Sequence, residues 1–248
     1  MSRSVLALNT GNTRTAAALF PESGSPRFDS FAHDSLSRLP EWASLPDAEV
    51  TIVSVSVNPS AETRALRLFP TVPSERVVRV GVDLPIDIPN RTEQPESVGL
   101  DRLLNAREAH RRFGASIVVD LGTAITLDVI NEDGEFLGGV IAPGIGTGAR
   151  ALHEYTARLP QARPARLPEP LGRTTEQAIQ SGLYWMAVGG IRLLIEKLSA
   201  ELAAQPTIVA TGGDAYLVLP AIPEIDRVHP HLTLEATLRL FEDLYGRF

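Results

Sequence analysis

The pattern of apolar and polar positions follows the same plan in two stretches of the chain. Each stretch has a short apolar run, a glycine turn with amide or hydroxyl residues, and a second apolar run. The first stretch is VLALNTGNTRTAAALF, from Val5, and the second is IVVDLGTAITLDVI, from Ile117. β-rich runs on both sides of a glycine turn predict a hairpin in each stretch.

The pattern elsewhere predicts strands and helices that follow each hairpin in a similar order. In the first half we expect strands at 50–57 and 76–82 and helices at 58–69 and 99–114. The second half is expected to contain strands at 135–143 and 207–213 and helices at 146–159, 174–204 and 231–247. Segment 83–98 is rich in proline and acid, which predicts an ordered loop near a site, and 160–170 predicts a surface connection.

The recurring order predicts an α/β chain built from two duplicated halves, 1–114 and 115–248. Such halves leave a cleft in which the turns at Gly11 and Gly122 could face one ligand from opposite sides. The alternative is that both stretches are ordinary hairpins, with glycine and asparagine chosen only for turn geometry.

Composition excludes several classes of function. The chain has 248 residues, of which 44% are hydrophobic, so it can bury a substantial core. The absence of cysteine excludes disulfides, thiolate metal sites and thiol catalysis. A net charge of −7 argues against nucleic acid as a partner. Because no signal peptide and no apolar run of about 20 residues is evident, we expect a cytoplasmic protein without membrane contact.

A single lysine, Lys197, further restricts nucleotide chemistry. It lies in a predicted helix, so a P-loop of the GK[ST] type and Schiff-base chemistry are both excluded. A glycine turn at the end of a strand can instead hold phosphate through successive backbone N–H groups. An aspartate that leads such a turn can hold magnesium through water, and this place is taken by Asn9 in the first turn and Asp120 in the second.

Six motifs in order resemble those of type III pantothenate kinases, of the acetate and sugar kinase, Hsp70 and actin superfamily. They are NTGNT, GLDR, DLGTAITLD, GGVIAPG, TTEQAIQSG and TGGDA. The resemblance covers nearly the whole chain. It implies two ribonuclease H-like domains in the actin-like ATPase fold, with the active site in the cleft between them. It also implies ATP-dependent phosphorylation of pantothenate to 4′-phosphopantothenate, the first step of coenzyme A biosynthesis.

The resemblance also implies roles for individual residues. Asp101 would be the catalytic base that takes the proton from the hydroxyl of pantothenate. Asp120 would bind a monovalent cation, K⁺ or NH₄⁺, and magnesium would accompany ATP. The residues implied for ATP are Asn9, Thr10, Gly11, Asn12, Thr13, Arg14, Thr15, Ala16, Thr123, Gly212 and Gly213. Those implied for pantothenate are Thr92, Gly99, Leu100, Asp101, Arg102 and Thr175.

The resemblance further implies a homodimer in which Thr175 reaches the pantothenate site of the neighbouring subunit. The dimerisation helices would belong to the second half. Gly189 and Gly190 agree with this, because each costs a helix about 1 kcal/mol relative to alanine and permits close helix approach. A single Asp101 at a helix start could otherwise be a cap or a partner of the helix dipole.

Two departures from the family pattern concern the site itself. Asn9 replaces an aspartate, and opposite charges about 4 Å apart interact by roughly 4 kcal/mol at an effective dielectric constant near 20. Thr92 stands where several relatives carry a tyrosine. These departures leave two alternatives open. One is a catalytically weakened homologue that acts as a binding or regulatory protein, and the other is a kinase of another small hydroxy acid.

Overall fold

The computed structural model describes residues 4–44, 50–167 and 169–246. The chain divides into two compact units. The first unit comprises 1–88, 94–108 and 231–248, and the second comprises 89–93 and 109–230. The sequence boundary at residue 114 stays a prediction.

The first unit contains a five-stranded sheet in which the predicted hairpin is central. Strands β1 and β2 are antiparallel, as are β2 and β3, whereas β4 and β5 continue the sheet in parallel from β1. The spatial order is β3-β2-β1-β4-β5. The strands are β1 (Ser4–Thr10), β2 (Arg14–Phe20), β3 (Arg27–Ala32), β4 (Val50–Ser56) and β5 (Val77–Arg79).

Two helices of the first half lie where the pattern predicts them, within 58–69 and 99–114, whereas the short helix at 39–43 was not predicted. The helices are α1 (Leu39–Ala43), α2 (Pro59–Leu66) and α3 (Leu100–Phe113), and residues 109–113 of α3 belong to the second unit. Helix α2 begins at Pro59 because the side chain of Asn58 caps it, accepting from the N–H of Ala61 at 3.1 Å. Glycine at 114, with a φ of 74°, ends α3.

The second unit repeats the first sheet strand for strand. Strands β6, β7 and β8 form an antiparallel series, and β9 and β10 extend the sheet in parallel from β6. The spatial order is β10-β9-β6-β7-β8. The strands are β6 (Ser116–Leu121), β7 (Ala124–Ile130), β8 (Phe136–Pro143), β9 (Thr207–Thr211) and β10 (Arg227–Val228). The predicted duplication is therefore present in the two sheets.

The helices of the second unit are α4 (Ile145–Glu154), α5 (Thr175–Ser199) and α6 (Ala215–Val218). Helix α5 packs Tyr184, Val188 and Ile191 into the core formed with the sheet. Its 25 residues and mean hydropathy of 1.2 would also suit a membrane span by length and composition alone. The periodic pattern predicts the helix, whereas no apolar run of this length was expected in the sequence. Packing within the unit accounts for part of this apolar content, since 33% of the apolar window is buried.

The last helix, α7 (Leu232–Tyr245), packs against the first sheet. Leu234, Leu240 and Phe241 join a buried cluster that includes Val5 and Val53. The position of this helix in the chain, after β9 and β10, predicts that it belongs to the second half. An amphipathic pattern shows which face is buried but does not identify the sheet that buries it.

Three local predictions are corrected. Strand β3 was missed, since its sequence RFDSFA has no β-branched residue. The helix predicted at 146–159 ends at Glu154, and the one predicted at 174–204 ends at Ser199. The residues after Ser199 are alanine-rich and Leu202 still packs against the core of the unit, so the apolar pattern continues beyond the end of the helix.

Candidate active site

The first glycine turn joins β1 to β2 and is held by hydrogen bonds within the hairpin. The N–H of Gly11 donates to the carbonyl of Arg14 at 2.9 Å. The hydroxyls of Thr10 and Thr15 lie 3.4 Å apart, and both residues are buried. The hydroxyl of Ser56 donates to the carbonyl of Thr10 at 3.2 Å, which ties the end of β1 to β4. The turn is therefore fixed locally, by the ends of three neighbouring strands.

Asn9 lies at the end of β1, between Ala16 of β2 and Val55 of β4 in the register. Its side-chain oxygen Oδ1 is buried and has no hydrogen-bond partner among the residues that the structure describes. A buried acceptor without a donor costs free energy of about 1 to 3 kcal/mol. A water molecule bound to a cation, or another donor from a ligand, would satisfy this oxygen, so the turn fits a magnesium nucleotide without a carboxylate.

The other residues of the first turn line it mainly with their backbone atoms. The carbonyl of Thr13 accepts from the N–H of His33 at 3.3 Å, and Asn12 is exposed. The guanidinium of Arg14 is engaged on β3, where it donates to the hydroxyl of Ser30 at 2.9 Å and to the carbonyl of Ser30. Arg14 therefore reaches a neighbouring strand, and its backbone is the part that lies in the turn.

Asp101 is the second residue of α3, and its carboxylate folds back toward the start of the helix. Its Oδ1 accepts from the N–H of Arg102 at 2.9 Å. A Cβ on Gly99 would lie 2.7 Å from this oxygen and 3.4 Å from Val57, so only glycine leaves the carboxylate in this place. Burial raises the pKa of Asp101, and the hydrogen bond from Arg102 and the charge of its guanidinium oppose that rise.

Leu100 anchors the start of α3 to the first unit. Its side chain packs on Gly81, where a Cβ would meet Leu100 Cδ1 at 2.7 Å, and Gly81 has a φ of 84°. Leu100 also contacts the buried cluster of the first sheet. The residue therefore positions Asp101 through packing, while Arg102 beside it is half-buried.

The second glycine turn is shorter, and backbone atoms from elsewhere in its unit pack against it. The carbonyl of Thr123 accepts from the N–H of Gly144 at 3.1 Å and from the hydroxyl of Thr147 at 2.6 Å. A Cβ on Gly144 would lie 2.1 Å from the carbonyl oxygen of Gly122. The GGVIAPG motif therefore supplies the glycine that lets α4 begin directly against this turn.

Asp120 ends β6 beside the glycine pair that follows β9. A Cβ on Gly212 would lie 2.5 Å from Oδ1 of Asp120 and 2.4 Å from the carbonyl oxygen of Leu121. Gly212 has a φ of 93°, which favours glycine as well. Asp120, Gly122, Thr123 and Gly212 are thus brought together at the carboxyl ends of two parallel strands, where α/β sheets bind ligands.

Asp214 lies in the same place, and the sequence analysis missed it. Its N–H donates to the carbonyl of Leu121 at 3.0 Å. Burial raises the pKa of its carboxyl group. The signal was available, since Asp214 is the fourth residue of TGGDA, but it occupies the position at which the motif allows any residue.

Thr92 and Thr175 lie in two further segments of the second unit. The hydroxyl and the N–H of Thr92 both donate to Oδ1 of Asn90, at 2.8 and 3.0 Å. The segment from Pro89 to Arg91 pairs with Phe136 at the start of β8. Thr175 is exposed at the first position of α5, and the hydroxyl of Thr174 caps that helix.

Metal-binding side chains are sparse in this site. Across residues 4–44, 50–167 and 169–246, no group of three or more histidine, aspartate and glutamate side chains could hold a metal ion. A cation at either turn would therefore be bound by one or two protein oxygens together with water or ligand phosphate, as is usual for magnesium with nucleotides.

Comparison of the fold with solved structures identifies its class. A Campylobacter jejuni protein described as a Baf family transcriptional activator matches with a TM-score of 0.61 and 20% identity, over 98% of this chain and all of that one. Spiroplasma citri MreB5, bound to AMPPNP, matches with a TM-score of 0.51 and 9% identity, over 98% of this chain and 97% of that one. The chain has the fold of the actin-like ATPases, which confirms the predicted fold class.

Comparison of the sequence identifies the family. The type III pantothenate kinase family profile matches residues 5–197. A type III pantothenate kinase of Gluconobacter oxydans is 44% identical over 66% of this chain and 58% of that protein. One from Frankia alni is 36% identical over 96% of this chain and 98% of that protein. The chain belongs to the type III pantothenate kinase family, and the resemblance of its motifs is confirmed.

Proposed function

We propose that this chain transfers the terminal phosphoryl group of ATP to the primary hydroxyl of pantothenate, in the cytoplasm. Family membership supports the reaction, and the observation that carries the proposal is the carboxylate of Asp101. It is held over Gly99 by the backbone of Arg102, and burial raises its pKa. A base with a raised pKa accepts a proton from an alcohol more readily than an ordinary carboxylate does.

In this proposal Arg102 receives the carboxylate of pantothenate, because its planar guanidinium can donate two parallel hydrogen bonds. Gly99 and Leu100 hold Asp101 in position. Thr92 and Thr175 complete the pantothenate site, with Thr175 contributed from the neighbouring subunit.

The two glycine turns bind ATP in this proposal. Backbone N–H groups from Asn9 to Ala16, together with Thr123, hold the phosphates, and Gly212 and Gly213 lie against the nucleoside. The buried oxygen of Asn9 would face water on magnesium, and Asp120 would bind K⁺ or NH₄⁺. When bound, these cations would neutralise phosphate charge, which phosphoryl transfer requires and which no lysine supplies here.

We also propose that the protein is a homodimer that uses the exposed face of α5. Met186 and Leu193 on this face are 77% and 54% exposed, although both are large and apolar. Gly182, Gly189 and Gly190 share the face, and a Cβ on any of them would meet no atom within 4 Å. Since none of the residues that the structure describes requires these glycines, close approach of a second copy is a physical reason for them.

The test is an assay of ADP formation with ATP, pantothenate, Mg²⁺ and K⁺. We expect turnover that Asp101→Asn lowers by about 10²- to 10⁴-fold, because a general base contributes a factor of that size. Asp34→Asn makes the same chemical change at an exposed residue of the same unit and should leave turnover unchanged. Absence of ADP formation over all cation and pantothenate concentrations, or full activity of Asp101→Asn, would contradict the proposal.

A second candidate is a kinase of another small hydroxy acid. It is favoured by Thr92, whose small hydroxyl is already bonded to Asn90 where several relatives place a tyrosine ring. Measuring kcat/KM for pantothenate and for a series of hydroxy acids would decide between the two. A value for any of these acids above that for pantothenate would favour this candidate.

A further inference from the structure

Asp214 is fixed beside the second glycine turn by the backbone. The carbonyl of Leu121 accepts from the N–H of Asp214 at 3.0 Å, and a Cβ on Gly212 would lie 2.4 Å from the same oxygen. Leu121 lies between Asp120 and Gly122, so Asp214 is anchored directly to the turn proposed to bind phosphate. Its backbone position therefore depends little on its own side chain.

The carboxylate of Asp214 has no partner of its own. It does not cap α6, and among the described residues it makes no hydrogen bond or ion pair. It is nevertheless half-buried, and burial alone raises the pKa of this carboxyl group. A partly desolvated carboxylate without a donor loses stability, which a ligand with donor groups would restore.

The surroundings limit what that ligand group can be. A phosphate would be repelled by a carboxylate and is served by the backbone N–H groups of the turn. Adenine presents one donor group, its amino group, and otherwise acceptors. The ribose of a nucleotide presents two adjacent hydroxyl donors, and in dinucleotide-binding folds an acidic residue about 20 residues beyond the glycine turn accepts from the 2′-hydroxyl.

We propose that Asp214 accepts hydrogen bonds from the ribose hydroxyls of the bound nucleotide and so selects ribonucleotides over deoxyribonucleotides. The proposal rests on the proposed use of ATP. It assigns recognition of the ribose to Asp214. Gly213 precedes it without a side chain that could block access, since a Cβ there would meet no atom within 4 Å.

The test compares binding of ADP and of 2′,3′-dideoxy-ADP to the full chain by calorimetry, with Mg²⁺ and K⁺ held constant. We expect the wild type to bind ADP about tenfold to hundredfold more tightly, since hydrogen bonds to a charged acceptor contribute on that scale. Asp214→Ala should lower affinity for ADP to that for the dideoxy nucleotide, whose own affinity should change less than about threefold. Asp214→Asn, which keeps one acceptor oxygen, should be intermediate.

Asp133→Asn is the matched control, because Asp133 is an exposed turn residue of the same unit. It should retain the full preference for ADP. Equal wild-type affinities for the two nucleotides would overturn the proposal, and so would an equal loss for both in Asp214→Ala. In a second titration series with K⁺ varied, an effect of Asp214→Ala confined to the K⁺ dependence of ADP binding would overturn the proposal in favour of a cation ligand.

These results separate the inference from the proposed function, because calorimetry needs no pantothenate. If the protein prefers ADP to the dideoxy nucleotide but does not phosphorylate pantothenate, the inference about Asp214 holds and pantothenate is not the phosphoryl acceptor. A protein that phosphorylates pantothenate without sugar preference would lose only the inference. A protein that binds neither nucleotide would contradict both.

Discussion

The two glycine turns occupy the same place in two matching sheets, yet they are built differently. The first spans three residues between β1 and β2, and a Cβ on Gly11 would meet only the carbonyl of Arg14, at 3.5 Å. The second spans two residues between β6 and β7 and is in backbone contact with Gly144 and Gly212. The first turn is therefore shaped by its own hairpin, and the second by remote segments of its unit.

The leading residues differ in the same way. Asn9 is neutral and presents a buried oxygen without a partner, whereas Asp120 is charged and lies against Gly212. Duplication of a sheet has thus preserved strand order while the chemistry at the two equivalent positions has diverged. Substitutions at equivalent positions should have unequal effects.

The largest difference is expected between Gly144→Ala and Gly11→Ala. The added methyl group of Gly144→Ala would lie 2.1 Å from the backbone oxygen of Gly122, so either α4 or the turn must move. We expect the free energy of unfolding to fall by about 3 kcal/mol or more. Gly11→Ala makes an ordinary contact and should change it by less than about 0.5 kcal/mol. Urea unfolding of both variants would measure this, and equal losses would refute the contrast between the turns.

The next effect concerns the charge of the first turn. Asn9→Asp restores a carboxylate at the leading position, and we expect kcat/KM with Mg²⁺ to rise about tenfold, which corresponds to roughly 1.4 kcal/mol of transition-state stabilisation. Asn12→Asp adds the same charge on the exposed side of the turn and should give a smaller gain. If the wild type is as fast as Asn9→Asp, the neutral side chain of Asn9 supports turnover with Mg²⁺ as well as a carboxylate does. The hypothesis of a catalytically weakened homologue is then unnecessary.

The smallest expected effect is on the pH dependence of the melting temperature, and it arises from the carboxyl group of Asp101. Because burial raises its pKa in the folded protein, the carboxyl group favours folding below its unfolded pKa, near 3.9. That contribution is lost as pH rises through the folded pKa. Asp101→Asn should therefore melt on the order of 2 °C higher than the wild type at pH 7, with the difference closing toward pH 4.

Melting curves from pH 3.5 to 8 would measure this difference, with Asp34→Asn as the exposed control. A lower Tm for Asp101→Asn at pH 7 would show that the hydrogen bond from Arg102 outweighs burial. The same raised pKa should place the acid limb of the kcat/KM profile above the usual range for aspartate.

Much of the fold was accessible from local pattern. The runs around Gly11 and Gly122 specify hairpins because β-rich strands and a glycine turn determine each other within a few residues. The helix that begins beside Asp101 could be predicted from its periodic pattern, whereas the role of Asp101 is implied only by the resemblance of the GLDR motif. The family resemblance added the chemistry that spacing could not supply.

The remainder depends on contacts between distant residues. The choice of the first sheet by α7 follows from the shape of the surface around Val5 and Val53, which no helical periodicity encodes. The partnership of Gly144 with Gly122 is visible only once β8 has turned into α4. Asp214 lies in the TGGDA motif at a position that allows any residue, and its significance comes from its contact with Leu121, far away in the chain.

The pairing of Pro89 and Arg91 with Phe136 has a consequence for the solubility of the folded protein. Strand β8 forms one border of the second sheet and carries two exposed apolar residues, Leu137 and Ile141. An exposed edge strand of this kind can pair with strands of other molecules, which leads to aggregation. Here the carbonyl of Pro89 accepts from the N–H of Phe136, and the N–H of Arg91 donates to the carbonyl of Phe136. An ion pair between Arg91 and Glu135 adds charge at the same end, so intermolecular sheet growth is discouraged where β8 begins.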